Sequence, residues 1–167
     1  MEHVMAVANE LIAFGLKHDR PLTQMKLQKL LFFMQGWHLG LTGDPLFEND
    51  FEAWDYGPVV PAVYQEFRDF GIRGINRFGR SLIPCGDDFV IAEPPLQQPE
   101  RLAPLFDRIW LVYGRYSGNQ LSDMTHRPDT PWTKVRAPYG EDVPRSLLIP
   151  KDLMKEYFSA KRRQPSA

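Results

Sequence analysis

Residues 52–67 read Glu-Ala-Trp-Asp-Tyr-Gly-Pro-Val-Val-Pro-Ala-Val-Tyr-Gln-Glu-Phe, and the stretch changes character half-way along. Up to Tyr56 it alternates, with Phe51, Ala53 and Asp55 on one side and Glu52, Trp54 and Tyr56 on the other. From Val60 the apolar residues Val60, Val63, Tyr64 and Phe67 recur at helical spacing. Gly57-Pro58 interrupts both patterns, because proline pushes the residue before it away from helical angles. Pro61 suits the first turn of a helix, where its missing N–H costs nothing. The region therefore predicts two bulky aromatics, a rigid corner and a helix launched from it.

The remaining chain is read mostly as helix. Val4, Val7, Ala8, Leu11, Ile12 and Gly15 define one face of a helix over 3–17. Thr23 is an N-cap for a second helix to about Leu41, with Leu27, Leu30, Leu31, Met34 and Leu41 inward. Gly36 and Gly40 leave a flat spot for close approach by another helix. A third helix is expected over 61–70. Residues 73–86 read as a loop, and Asp88–Ala92 as a strand. A fourth helix should cover 100–113, with Pro104 tolerable only in its first turn. Ser117 and Gln120 have capping-box spacing for a short helix over 118–125. Thr130-Pro131 opens another, residues 137–150 look irregular, and 151–161 form a last amphipathic helix. The expected class is mainly α: a compact domain of about six helices with a small β-hairpin or short-strand insertion. One domain over 1–161 and a disordered tail over 162–167 complete this reading.

Composition excludes several function classes. The 167 residues suit one domain with a self-sufficient core. A formal net charge of −1 gives no global reason to bind nucleic acid or an anionic membrane. One cysteine, Cys85, rules out an internal disulfide and a cysteine metal cluster. No apolar run is long enough for a membrane span, and the N-terminus lacks a secretory pattern, so a cytoplasmic location is expected.

Chemistry-bearing motifs are absent. His3, His18, His38 and His126 show no metal-ligand spacing, and no cofactor is expected. No nucleophile–base pair can be nominated, which argues against an enzyme. Asp87-Asp88 and Glu141-Asp142 read as solvated surface. The first two helices invite a helix-turn-helix reading with Lys26 and Lys29 on the exposed side of the second, but several base-reading side chains are missing.

Three blocks in order resemble the Panacea domain, also called the SocA-like antitoxin domain. They are Lys26-Leu-Gln-Lys-Leu-Leu-Phe-Phe-Met-Gln-Gly-Trp-His-Leu39, the Glu52–Phe67 stretch, and Leu121-Ser-Asp-Met-Thr-His126 with Pro131-Trp132. The resemblance implies a mostly helical bacterial or prophage antitoxin that neutralises a toxin, encoded by an adjacent gene, through direct binding. For one member it implies an adaptor that delivers the toxin to the ClpXP protease. No catalytic residues come with it. Trp54, Tyr56 and Trp132 are candidate partner-binding anchors, joined by Thr125 and His126, and Lys26 and Lys29 would steer an acidic partner. The opposing reading places the three aromatics in the core. A rival class is a small prophage-encoded nucleic-acid-binding regulator.

Overall fold

The computed structural model describes residues 1–163. Helix α1 (Val4–Lys17) leads into α2 (Gln24–Thr42), followed by strands β1 (Phe51–Trp54) and β2 (Gly57–Val59). Helix α3 (Pro61–Phe67) extends as a 3-10 turn to Phe70. A hairpin of β3 (Ser81–Cys85) and β4 (Asp88–Ala92) comes next. The chain closes with α4 (Pro99–Tyr113), α5 (Gly118–Thr125), α6 (Pro131–Arg136), β5 (Leu148–Ile149) and α7 (Lys151–Arg163).

The mainly α expectation of about six helices is overturned. Among the described residues helix accounts for 54% and strand for 13%, in seven helices and two small sheets, so the domain is mixed α/β. Three strands are not predicted by their own sequence: β2, where Gly57-Pro58 reads as a break, and β3 and β5. Strand β5 is two residues long and exists because β1 supplies its partner, Phe51 opposite Ile149. Strand β3 contains Pro84, which demotes a segment to non-strand when read alone; its pairing with β4 comes from a two-residue turn with Gly86 at φ +61°.

Helix boundaries follow local signals. The Thr23 hydroxyl accepts the Lys26 N–H at 3.3 Å, and Gly43 closes α2 in the left-handed region. Ser117 and Gln120 form a reciprocal capping box. Pro104, however, lies beyond the first turn of α4, inside the helix. It sits on the exposed side of α4, where solvent can serve the carbonyl it leaves unpaired. Helix α7 continues to Arg163, so residues 162 and 163 are helical where a disordered tail is expected; residues 164–167 lie outside the described residues.

Helix α2 is the hub. It packs against α1, α3, α4, α5, α7 and β2 and is buried on nearly every side. Its flat spot is used as expected, by α7: a Cβ on Gly36 would lie 2.1 Å from the Phe158 ring, and one on Gly40 2.9 Å from the Phe158 backbone. Five polar residues of α2, Gln24, Lys26, Gln28, Lys29 and Gln35, are buried too, and each donates to a backbone carbonyl outside the helix. Gln35 takes the Leu46 N–H at 2.7 Å and donates to the Phe47 carbonyl at 2.9 Å. Gln28 does the same to both groups of Val60, at 2.8 and 3.4 Å. Buried polar groups must be paired, and here they fix where the connecting chain runs.

Candidate functional site

The Glu52–Phe67 corner is tighter than its sequence suggests. Gly57-Pro58 does not break the chain; it forms most of edge strand β2, with the turn at Asp55-Tyr56 and the helix starting after Val60. An edge position accommodates the proline. Gly57 is obligatory: its φ is +101°, and a Cβ there would lie 2.6 Å from Thr125 Oγ1 and 2.7 Å from Lys29 Cε.

Side chains from three helices hold the corner by its carbonyls. Arg136 Nη1 donates to Ala53 at 2.7 Å, and Trp132 Nε1 to Trp54 at 2.8 Å. His126 Nε2 lies 3.0 Å from the Asp55 oxygen, with its Nδ1 2.6 Å from the Ser122 carbonyl. Ser122 Oγ donates to Tyr56 at 2.7 Å, and Lys29 Nζ to Pro58 at 3.1 Å. Thr125, buried, donates back to Ser122 at 2.7 Å. The Arg136 guanidinium also pairs with Asp55 at 2.9 Å and covers the Trp132 ring.

This lattice reassigns the sequence-nominated residues. Lys26 and Lys29 were expected on the exposed side of α2; they are 9% and 1% exposed. The Lys26 amine donates to the Gly114 carbonyl at 2.6 Å and lies over the Trp110 ring. Burial, and then nearby Arg20, lower its pKa. Burial alone pushes the Lys29 pKa down to about 7. A hydrophobic-period reading cannot anticipate this, because the lysines' carbonyl partners are supplied by distant chain. With these cations turned inward, α2 also lacks the exposed basic face that a recognition helix needs. Trp132 is 9% exposed and its indole is committed to Trp54, so it belongs with the core. Trp54 is half-buried against Tyr64, its indole donating to Glu52 at 2.7 Å. Tyr56 stands out, 72% exposed.

The corner forms one wall of a cleft of about 1050 Å³ at the N-terminal end of α2. Trp54, Tyr56 and Tyr64 line it, with Gln24, Gln28 and Lys29 from α2. The cleft includes one unexpected feature: Gln24 donates to the Tyr64 carbonyl at 3.3 Å, while its Oε1 is buried with no donor. In the sequence nothing local distinguishes Gln24 from an exposed glutamine. Among the described residues, no three His, Cys, Asp or Glu side chains converge as metal ligands would, and no helix is long and apolar enough to cross a membrane.

The comparisons with known proteins meet this geometry at the same blocks. The model of the family "Antitoxin SocA-like, Panacea domain" matches residues 27–133, which contain Lys29, the whole corner and Trp132. The chain is 33% identical over 154 residues to "Antitoxin SocA" of Caulobacter vibrioides, covering 92% of this chain and 80% of that protein. No solved structure matches to a significant degree. By this match, the chain belongs to the SocA-like antitoxin, Panacea domain family.

Proposed function

We propose that this chain is an antitoxin, acting as one cytoplasmic domain over residues 1–161, that neutralises a cognate toxin encoded beside it by direct binding. The likeness to Antitoxin SocA along nearly the whole chain carries the reading. The mode of action is contact, with no bond made or broken. The toxin-facing surface is the cleft wall: Tyr56 and Trp54 are the anchors, since accessible aromatics beside a recess supply rigid contact area. Lys29, Thr125, His126 and Trp132 act behind them by holding the corner in shape, and Lys26 ties α2 to the end of α4.

Delivery of the captured toxin to ClpXP is the further step of this proposal. Co-expression of the neighbouring gene's product with and without this chain, scored by growth, tests the first part; restored growth is expected, and continued arrest refutes it. The toxin's half-life in cells with and without ClpXP tests the second; an unchanged half-life refutes delivery.

A further inference from the structure

The β3–β4 hairpin stands off the body, its principal contacts being between its own two strands. Cys85 and Asp88 flank a two-residue turn and are therefore a hydrogen-bonded pair, so Pro84↔Phe89 and Leu82↔Ile91 are non-hydrogen-bonded pairs. Pro84 agrees with this, having no N–H to give. The backbone groups of these four residues then point outward along the two edges. On β3 the edge is blunted by Pro84. On β4 the Ile91 carbonyl is taken by Arg80 at 2.7 Å, and both groups of Phe89 and the Ile91 N–H stay open. The same four side chains share one face. Leu82, Phe89 and Ile91 are 61–63% exposed, and Pro84 is exposed as well. A lone two-stranded hairpin is marginal in water; a third strand over an apolar face is what it lacks.

Charge selects the occupant. The open strand has exposed acids at both ends, Asp87 before it, Asp88 at its first position and Glu93 after it. A second copy pairing antiparallel with Phe89 against Ile91 would set Asp87 against Glu93, a like-charge contact, and with Phe89 against its own counterpart it would set Asp87 against Ile91, leaving the acids without an opposite charge. An apolar strand with basic ends meets no such penalty. We propose that the open edge of β4 receives a strand of the toxin whose apolar centre is flanked by lysine or arginine, extending the hairpin to three strands. This rests on the antitoxin reading. The hairpin base is tied to α3 by Glu66, which accepts the Arg77 guanidinium at 2.6 Å and the Arg80 N–H at 3.1 Å.

The first test needs no toxin. The full ¹⁵N-labelled chain is titrated with the peptide Lys-Lys-Val-Thr-Val-Thr-Val-Lys-Lys and with its glutamate-flanked counterpart. The lysine peptide is expected to shift the Phe89 and Ile91 amides and slow their hydrogen exchange, with the glutamate peptide about tenfold weaker. Ile91→Pro removes the outward N–H as Pro84 does in β3, and should abolish the response. Phe89→Lys, which leaves the hairpin's own backbone bonds intact, should weaken it. Equal response to both peptides, response only elsewhere, or dimerisation through β4 overturns the proposal. Co-expression then separates the two readings. If the wild-type chain protects against the toxin and both variants protect equally well, strand capture fails and the antitoxin reading stands. If the wild type protects against no neighbouring product, the antitoxin reading fails and, with it, the toxin as occupant.

Discussion

The indole N–H of Trp132 donates to the carbonyl of Trp54 at 2.8 Å, joining residues 78 positions apart. One tryptophan is thus the support of the other: Trp132 is spent inside, and Trp54 is held half-open at the cleft. Trp132→Phe should therefore destabilise the fold by about 1–2 kcal/mol through the lost donor and the Trp54 carbonyl left unmet. Urea denaturation would show this; an unchanged midpoint would mean that the indole bond contributes nothing.

Gly57→Ala should be costlier. The new methyl meets Thr125 and Lys29 in a backbone region that favours glycine. We expect a loss of about 3 kcal/mol, combining backbone strain with overpacking. Thermal unfolding of the variant checks it, and a melting temperature equal to the wild type would contradict the geometry of the corner.

Lys29 should leave a signature in stability against pH. Its folded pKa of about 7 lies below its unfolded value. Between about pH 7 and pH 10 the unfolded chain then holds more protons at this site than the folded chain, so stability rises with pH there, by at most about 1.4 kcal/mol per unit. Lys29→Met should remove that rise. Unfolding free energies measured at pH 7, 8 and 9 for both proteins give the comparison, and parallel curves would show that the amine stays charged when folded.

Gly36→Ala places a methyl into the Phe158 ring. A cost of about 1–3 kcal/mol is expected. Adding Phe158→Leu should recover part of it, because the two sites share one contact. Strictly additive effects in the double-mutant cycle would show that α7 shifts to absorb the methyl.

Tyr56→Ala should change stability by less than about 0.5 kcal/mol, since the side chain is largely in solvent. Under the proposed function it should nonetheless weaken toxin neutralisation. A folded variant that protects cells fully would remove Tyr56 from the toxin-facing surface.

Helices were legible where their signals are local. Thr23, Ser117 and Thr130 announce helix starts within one turn, and the structure has them as caps. Gly36 and Gly40 announced a close approach, though not that α7 makes it. Strands β2, β3 and β5 are not legible, because each is defined by its partner more than by its own pattern. Of the candidate residues, Lys29, Thr125, His126 and Trp132 pack around Trp54 and Tyr56 at one corner while Lys26 reaches Gly114 instead, and their division into buried supports and accessible wall is not legible in the sequence.

Sequence by itself determined which segments coil, where the capped helices start, and that the Trp54–Pro58 stretch must turn sharply. Those outcomes depend on backbone restrictions and on donors within a few residues. Tertiary structure decided which polar side chains face inward. Lys29, Gln28 and Gln35 look like a wetted helix surface until the carbonyls and amides of Pro58, Val60, Leu46 and Phe47 arrive from elsewhere in the chain. Burial of a polar group is settled by whether a distant partner meets it, and that is a property of the assembled fold.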